Sequence, residues 1–182
     1  MSDSFHVVGT SSLLTSHVFS VERRVVQHDG ATFERDVVTH PGAVAMLAIN
    51  DRGEIALIRQ YRTPFDRFSW EIPAGTLDVP GEEVLSAAQR ELREELGREA
   101  DDWTLLGTFM TSPGWSNQLM YIFEARSLHE VERSPTGPEE TSSVVRWFSP
   151  KDLRETLRDE PAIDNTMAVA LNRVYGTFFD GL

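Results

Sequence analysis

Residues 82–97 read EEVLSAAQRELREELG, and the order of charged and apolar residues in this stretch decides the fold. At 100° per residue, a helix from Glu82 to Leu96 brings Glu91, Glu94 and Glu95 within about a 100° arc, with Glu91 and Glu95 one turn apart. Leu85, Ala88, Leu92 and Leu96 make an adjacent apolar arc. The helix is therefore expected to pack by that stripe and to hold Glu91 and Glu95 half-buried at its border. Carboxylates gathered there repel one another and lose hydration, at a cost of several kcal/mol unless a cation fills the gap. A hard divalent ion such as Mg2+ or Mn2+ suits such an all-oxygen ligand set. The competing reading is a solvated acidic face paired with Arg90 and Arg93 along the helix.

The residues just upstream bear on that choice. Trp70-Glu71-Ile72-Pro73-Ala74-Gly75 reads as a strand end running into a glycine, and Pro80-Gly81 closes the loop that leads to the helix. Together with Glu82 and Arg90-Glu91-Leu92-Arg93-Glu94-Glu95-Leu96-Gly97, this resembles the Nudix hydrolases, whose box is G-x5-E-x7-R-E-U-x-E-E-x-G-U with U aliphatic. Two positions depart from the box: six residues separate Gly75 from Glu82 where the pattern has five, and Arg98 stands where an aliphatic residue is usual. The spacing from Glu82 to Arg90 is fixed by the helix, so Glu82, not Glu83, takes the place of the box glutamate. The resemblance implies an α/β fold, a Nudix-type α/β/α sandwich with a mixed central sheet. It also implies that Glu91 and Glu95 are the main metal ligands, Glu94 a supporting one, and the Ala74 carbonyl a further one. Arg90 and Glu82 are expected to orient the carboxylates and tie the loop to the helix.

At 182 residues, with 40% hydrophobic and 25% charged residues, the chain is long enough for one domain with a substantial core. There is no cysteine, hence no thiolate nucleophile and no disulfide. The best apolar run, Ala43 to Ile49, is too short to span a bilayer, and no signal-like segment opens the chain, so neither membrane nor export is expected and the setting is read as cytoplasmic. A net charge of −12 argues against a sequence-independent grip on nucleic acid. It leaves room for a small anionic substrate whose phosphates are neutralised locally by metal and arginine.

Along the chain, residues 1–12 are polar and expected to fray. Strands are expected at 18–27 and 32–39 around the turn His28-Asp29-Gly30, at 43–49 and 54–61 around Asn50-Asp51-Arg52-Gly53, and near 103–110, 119–125 and 144–148. Ser149-Pro150 reads as the cap and first residue of a helix reaching about 157, and 164–175 as a final helix. Residues 1–40 are taken as an N-terminal antiparallel strand extension that forms a dimer, and 41–182 as the Nudix domain.

Outside the box, Leu57-Ile58-Arg59-Gln60-Tyr61-Arg62 and Ser112-Pro113-Gly114-Trp115-Ser116-Asn117 resemble the ADP-ribose pyrophosphatase branch, in which a proline at the place of Pro113 accompanies ADP-ribose specificity. Gln118 departs from that branch, where many relatives carry an acid at the third position after the tryptophan. The resemblance implies Mg2+-dependent hydrolysis of ADP-ribose to AMP and ribose 5-phosphate, with Arg62 and Arg35 on the substrate's phosphates or ribose. Phe19 and Trp115 are the two candidates for an adenine face. The base is expected in the loop Ser134-Pro135-Thr136-Gly137-Pro138-Glu139-Glu140-Thr141, at Glu139 first and Glu140 second. The branch further implies a homodimer in which Arg35 and Phe19 serve the partner's site. Two alternatives stay open: a pyrophosphatase for another nucleoside diphosphate sugar, GDP-mannose or UDP-glucose, and a non-catalytic ADP-ribose sensor.

Overall fold

Ala43–Ala48 is a strand of six apolar residues in succession, and in a computed structural model, which describes residues 4–180, every one of them is buried. An uninterrupted apolar strand requires cover on both faces. Val44, Met46 and Ala48 point into one core with Ala87, Ala88, Leu92 and Leu96 of a helix, while Ala45, Leu47 and Ile49 point into a second core with Leu153, Leu157, Met167, Ala170 and Leu171. The result is the α/β/α sandwich expected above.

The strands in chain order are β1 His6–Thr15, β2 Ser20–His28, β3 Ala31–Thr39, β4 Ala43–Ala48, β5 Ile55–Arg62, β6 Arg67–Glu71, β7 Ala74–Thr76, β8 Arg98–Met110, β9 Leu119–Glu130 and β10 Val144–Phe148. The helices are α1 Val84–Leu96, α2 Gly137–Thr141, α3 Pro150–Arg158 and α4 Asn165–Tyr175. The central sheet has the order β7-β4-β9-β8 and is mixed, with β4 parallel to β9 and antiparallel to β7. A second, antiparallel sheet runs β10-β5-β6, and β1-β2-β3 form a third. Ser149 caps α3 by accepting from the Asp152 N–H, with Pro150 at the first turn, and Asp164 caps α4 by accepting from Met167.

Three expectations need correction. Residues 6–15 are not frayed but form β1, paired antiparallel with β2 through backbone bonds that need no apolar face; of the expected frayed segment, residues 1–3 lie outside the described residues. Leu85 is not on the buried stripe of α1: it is 40% exposed, and Val84 and Ala87 pack against the core instead. The segment 134–141 is not all loop, since Gly137–Thr141 closes one short helical turn.

Candidate active site

α1 lies across β4 and β7, and its acidic arc meets the edge strand at Ala74-Gly75. Glu91 and Glu95 are buried rather than half-buried, at 7% and 2% exposure. The Ala74 N–H donates to Glu95 Oε2 at 2.9 Å. Gly75 is dictated by space: a Cβ there would stand 1.9 Å from the Glu91 carboxyl carbon, so any side chain would evict the carboxylate. Burial pushes the Glu95 carboxyl up to about 8, opposed by the Ala74 N–H and assisted by the charges of Glu140 and Glu91. Glu91 is raised as well, by burial first, with Arg90 opposing.

Arg90 organises the outer side of this cluster. Its guanidinium donates to both carboxylate oxygens of Glu82 at 3.1 and 3.0 Å, to Glu91 at 2.7 Å and to Glu94 at 3.4 Å. The Glu82 pair is the tie between loop and helix expected from the sequence. Glu83 is exposed at the N-cap and makes no side-chain capping bond. Arg93 takes no part in the cluster and pairs with Glu99 instead.

These acids line a cavity of about 250 Å3 whose other walls include Gln60, Arg62, Thr136 and Glu140. Arg62 is chelated by the buried Glu71, with Nη2 to Oε2 at 2.5 Å and Nε to both oxygens at 3.0 Å. Its Nη1 makes no hydrogen bond to a described residue. On the far side of Glu71, Asp164 is raised by burial, with Glu71 adding and Arg62 opposing. Gln60 is 3% exposed, and its amide makes no hydrogen bond to a described residue. On β5 it continues the row Ala56, Ile58 that faces α1, so it is the position at which an apolar row turns polar beside the acids.

The two candidate bases are placed differently. Glu140 lines the cavity, and its charge is felt by Glu91 and Glu95. Its Oε2 accepts from the Thr136 N–H at 2.7 Å and from the Thr136 hydroxyl at 3.2 Å. Glu139 is exposed and lines only the adjoining hollow with Tyr61, Thr63 and Pro64. The remaining expected substrate residues do not reach the cavity within this chain. Arg35 is exposed on β3 with its guanidinium 4.6 Å from the Phe33 ring, and Phe19 is exposed between β1 and β2. Pro113 and Trp115 are exposed on a loop that holds the end of β3, where the Val38 N–H donates to the Trp115 carbonyl at 2.8 Å.

Among the described residues no three acids or histidines stand in ready-made ligand geometry, and Arg90 and Ala74 donate to oxygens of Glu91 and Glu95. The donor set nevertheless fits a hard divalent cation. Among the described residues the candidate ligands lining the cavity are all oxygen donors, two of the carboxylates are buried, and Gly75 makes room for the Glu91 carboxylate itself. Gln60, Glu71, Thr136 and Asp164 had no assigned role from sequence. A lone amide at the end of an apolar strand row was the one available signal among them.

An ADP-ribose pyrophosphatase of Mycobacterium tuberculosis is 38% identical over 168 residues, covering 91% of this chain and 80% of that protein. An ADP-ribose pyrophosphatase of Bacillus subtilis is 36% identical over 143 residues, covering 79% and 77%. The crystal structure of an ADP compounds hydrolase superposes with a TM-score of 0.80 at 25% identity, covering 93% of this chain and 91% of that one. The NUDIX domain model matches residues 39–168, which take in the buried glutamate pair, Gly75 and the Glu140 segment, and the chain therefore belongs to the Nudix family.

Proposed function

We propose that the chain hydrolyses the diphosphate of ADP-ribose to AMP and ribose 5-phosphate, with Mg2+ as its cation and Mn2+ as a substitute. The observation that carries the reading is the buried pair Glu91 and Glu95 facing Glu140 across one cavity that Arg62 also enters. The substrate follows the two ADP-ribose pyrophosphatases to which the chain is similar.

Held by Glu91 and Glu95, with Glu94 and the Ala74 carbonyl alongside, a divalent cation would supply positive charge against the non-bridging phosphate oxygens. Glu140 accepts the proton of the water whose oxygen attacks one phosphorus, and the bridging P–O bond breaks with its electrons on the departing phosphate. The Thr136 N–H fixes which Glu140 oxygen stays free for that proton. Arg62 Nη1 binds a diphosphate oxygen while Glu71 holds the rest of the guanidinium still. Arg90 acts on the carboxylates rather than on substrate.

The same reading makes residues 1–40 a dimer-forming extension of a Nudix domain at 41–182. Phe5, Val7, Val8, Leu13, Leu14 and Phe19 are all exposed on or beside β1, a run of apolar surface that a second copy would cover. Arg35 and Phe19 then reach the partner's cavity, and Pro113 and Trp115 wall its mouth.

AMP release from ADP-ribose with Mg2+, lost on chelation, tests the activity when run beside NADH, GDP-mannose and UDP-glucose. A higher kcat/KM on GDP-mannose or UDP-glucose moves the substrate. Binding of ADP-ribose with turnover of none makes the chain a sensor.

A further inference from the structure

Glu140 is held by its backbone as well as by its carboxylate, and the group that holds it comes from outside its own turn. The last carbonyls of a helix have no partner inside the helix. At the end of α1, Gly97 adopts φ 62° and its N–H bonds the Arg93 carbonyl, which turns the chain away. A Cβ on Gly97 would stand 2.8 Å from the Val131 carbonyl oxygen and 3.1 Å from Arg133 Cβ. The glycine therefore lets the segment after β9 pass close over the helix end, where the Val131 N–H donates to the Gly97 carbonyl at 3.0 Å.

Arg133 uses that approach. Its Nε donates to the backbone carbonyl of Glu95 at 2.5 Å, while its Nη2 donates to the backbone carbonyl of Glu140 at 3.1 Å and to the Ser143 hydroxyl at 2.6 Å. Ser143 in turn donates its hydroxyl to the same Glu140 carbonyl at 2.7 Å. Among the described residues Arg133 pairs with no carboxylate, although the chain carries 29 acids against 17 lysines and arginines. All its acceptors are neutral oxygens, so the planar fork serves geometry rather than charge pairing, with a helix C-terminus as a favourable place for the cation.

We propose that Arg133 is a positioning residue that sets the distance between Glu140 and the glutamate pair of α1, by holding the backbone of Glu95 and of Glu140 in one guanidinium. The inference rests on Glu140 being the base. Lysine keeps the charge at this place but presents a single ammonium, which cannot bond both carbonyls in a fixed relation.

Arg133→Lys is expected to lower kcat about tenfold or more with KM within about twofold, because the base is displaced while substrate contacts remain. In a Glu140→Gln background the same substitution should change kcat by less than about twofold, since the group it positions is gone. Ser143→Ala, which removes one donor to Glu140, should show a smaller loss with the same non-additivity, and it carries the test if Arg133→Lys does not fold. Independent, multiplying effects of Arg133→Lys and Glu140→Gln overturn the inference alone, as does wild-type kcat in both Arg133→Lys and Ser143→Ala. Near-wild-type kcat in Glu140→Gln itself overturns the base assignment, and the inference with it.

Discussion

The sandwich from β4 onward and the sheet β1-β2-β3 are built on opposite principles. Every residue of β4 is buried, and its two faces feed two cores, whereas no residue of β1, β2 or β3 is buried at all. The strands of the N-terminal sheet are paired along their length, with two register shifts between β1 and β2 and none between β2 and β3, so the difference is not a lack of hydrogen bonding. It teaches that backbone pairing can draw a sheet without supplying it with a core, and that the buried acids could only have been placed where cores exist on both sides. The glutamate pair, Arg90, Arg62 and Glu140 all belong to the sandwich; Arg35 and Phe19 belong to the sheet that lacks a core. A three-stranded sheet without a buried face needs outside cover to be stable.

If the chemistry resides wholly in the sandwich, its most damaging lesion is Glu95→Gln. The glutamine keeps the shape and can still accept the Ala74 N–H, so the fold should survive while the ligand charge is lost. A fall in kcat of about a thousandfold or more is expected, with an unchanged circular dichroism spectrum. Near-full turnover of ADP-ribose by this variant would remove the cavity from the reaction.

Next in size is the contrast between neighbours. Glu140→Gln should lower kcat about a hundredfold or more, the range for losing a general base, whereas Glu139→Gln should stay within about threefold. The reverse order would move the base to the exposed residue. Sequence order alone put Glu139 first, because a count along a loop cannot see that Thr136, Ser143 and Arg133 all converge on Glu140.

That contrast marks where legibility stopped. α1, β4 and the acids were readable because apolar period, charge order and Gly75 all constrain one short segment. The strand β1 was not, since HVVGTSSLLT buries no face and so carries no alternation to read. Leu85 has the right spacing but stands exposed in the first turn, where its neighbour Val84 packs against the core instead. Glu71 and Asp164 meet around Arg62 only after β6 and α4 are brought together, a contact with no local trace.

The comparison can also be tested from the other side. Val7→Glu with Leu14→Glu places charge on apolar surface that is 55% and 53% exposed in the single chain, which a monomer would tolerate and a covered sheet would not. Sedimentation should shift from dimer to monomer, with KM for ADP-ribose raised about tenfold and kcat far less affected. A wild-type protein that sediments as a monomer ends the shared-site reading of Arg35 and Phe19.

Removing the cation probes the sandwich by pH. The Glu95 carboxyl rises from its ordinary 4.5 to about 8 in the folded chain. Between those values the folded state holds a proton that the unfolded chain has released, so stability falls as pH rises across that window. With chelator present, the melting temperature should be highest near pH 5 and drop by about 5 °C or more by pH 8. Saturating Mg2+ should flatten the decline, because it stabilises the ionised cluster. A pH-independent melting temperature in chelator would mean that Glu95 ionises freely and that its burial does not penalise the charge.

The smallest expected effect lies at Gln60. Its row on β5 is Ala56 and Ile58 before it, both buried against the α1 side, and a leucine there would extend the same core. An amide at the cavity edge without a protein partner adds less to the core than an apolar side chain of similar size would. Gln60→Leu should therefore stabilise the protein by roughly 0.5–1 kcal/mol in urea unfolding, while kcat/KM for ADP-ribose falls severalfold because the cavity loses a neutral donor beside the acids. Opposite signs for stability and activity would mark Gln60 as a residue kept for the ligand. Loss of both together would make it part of the core that β4 and α1 share.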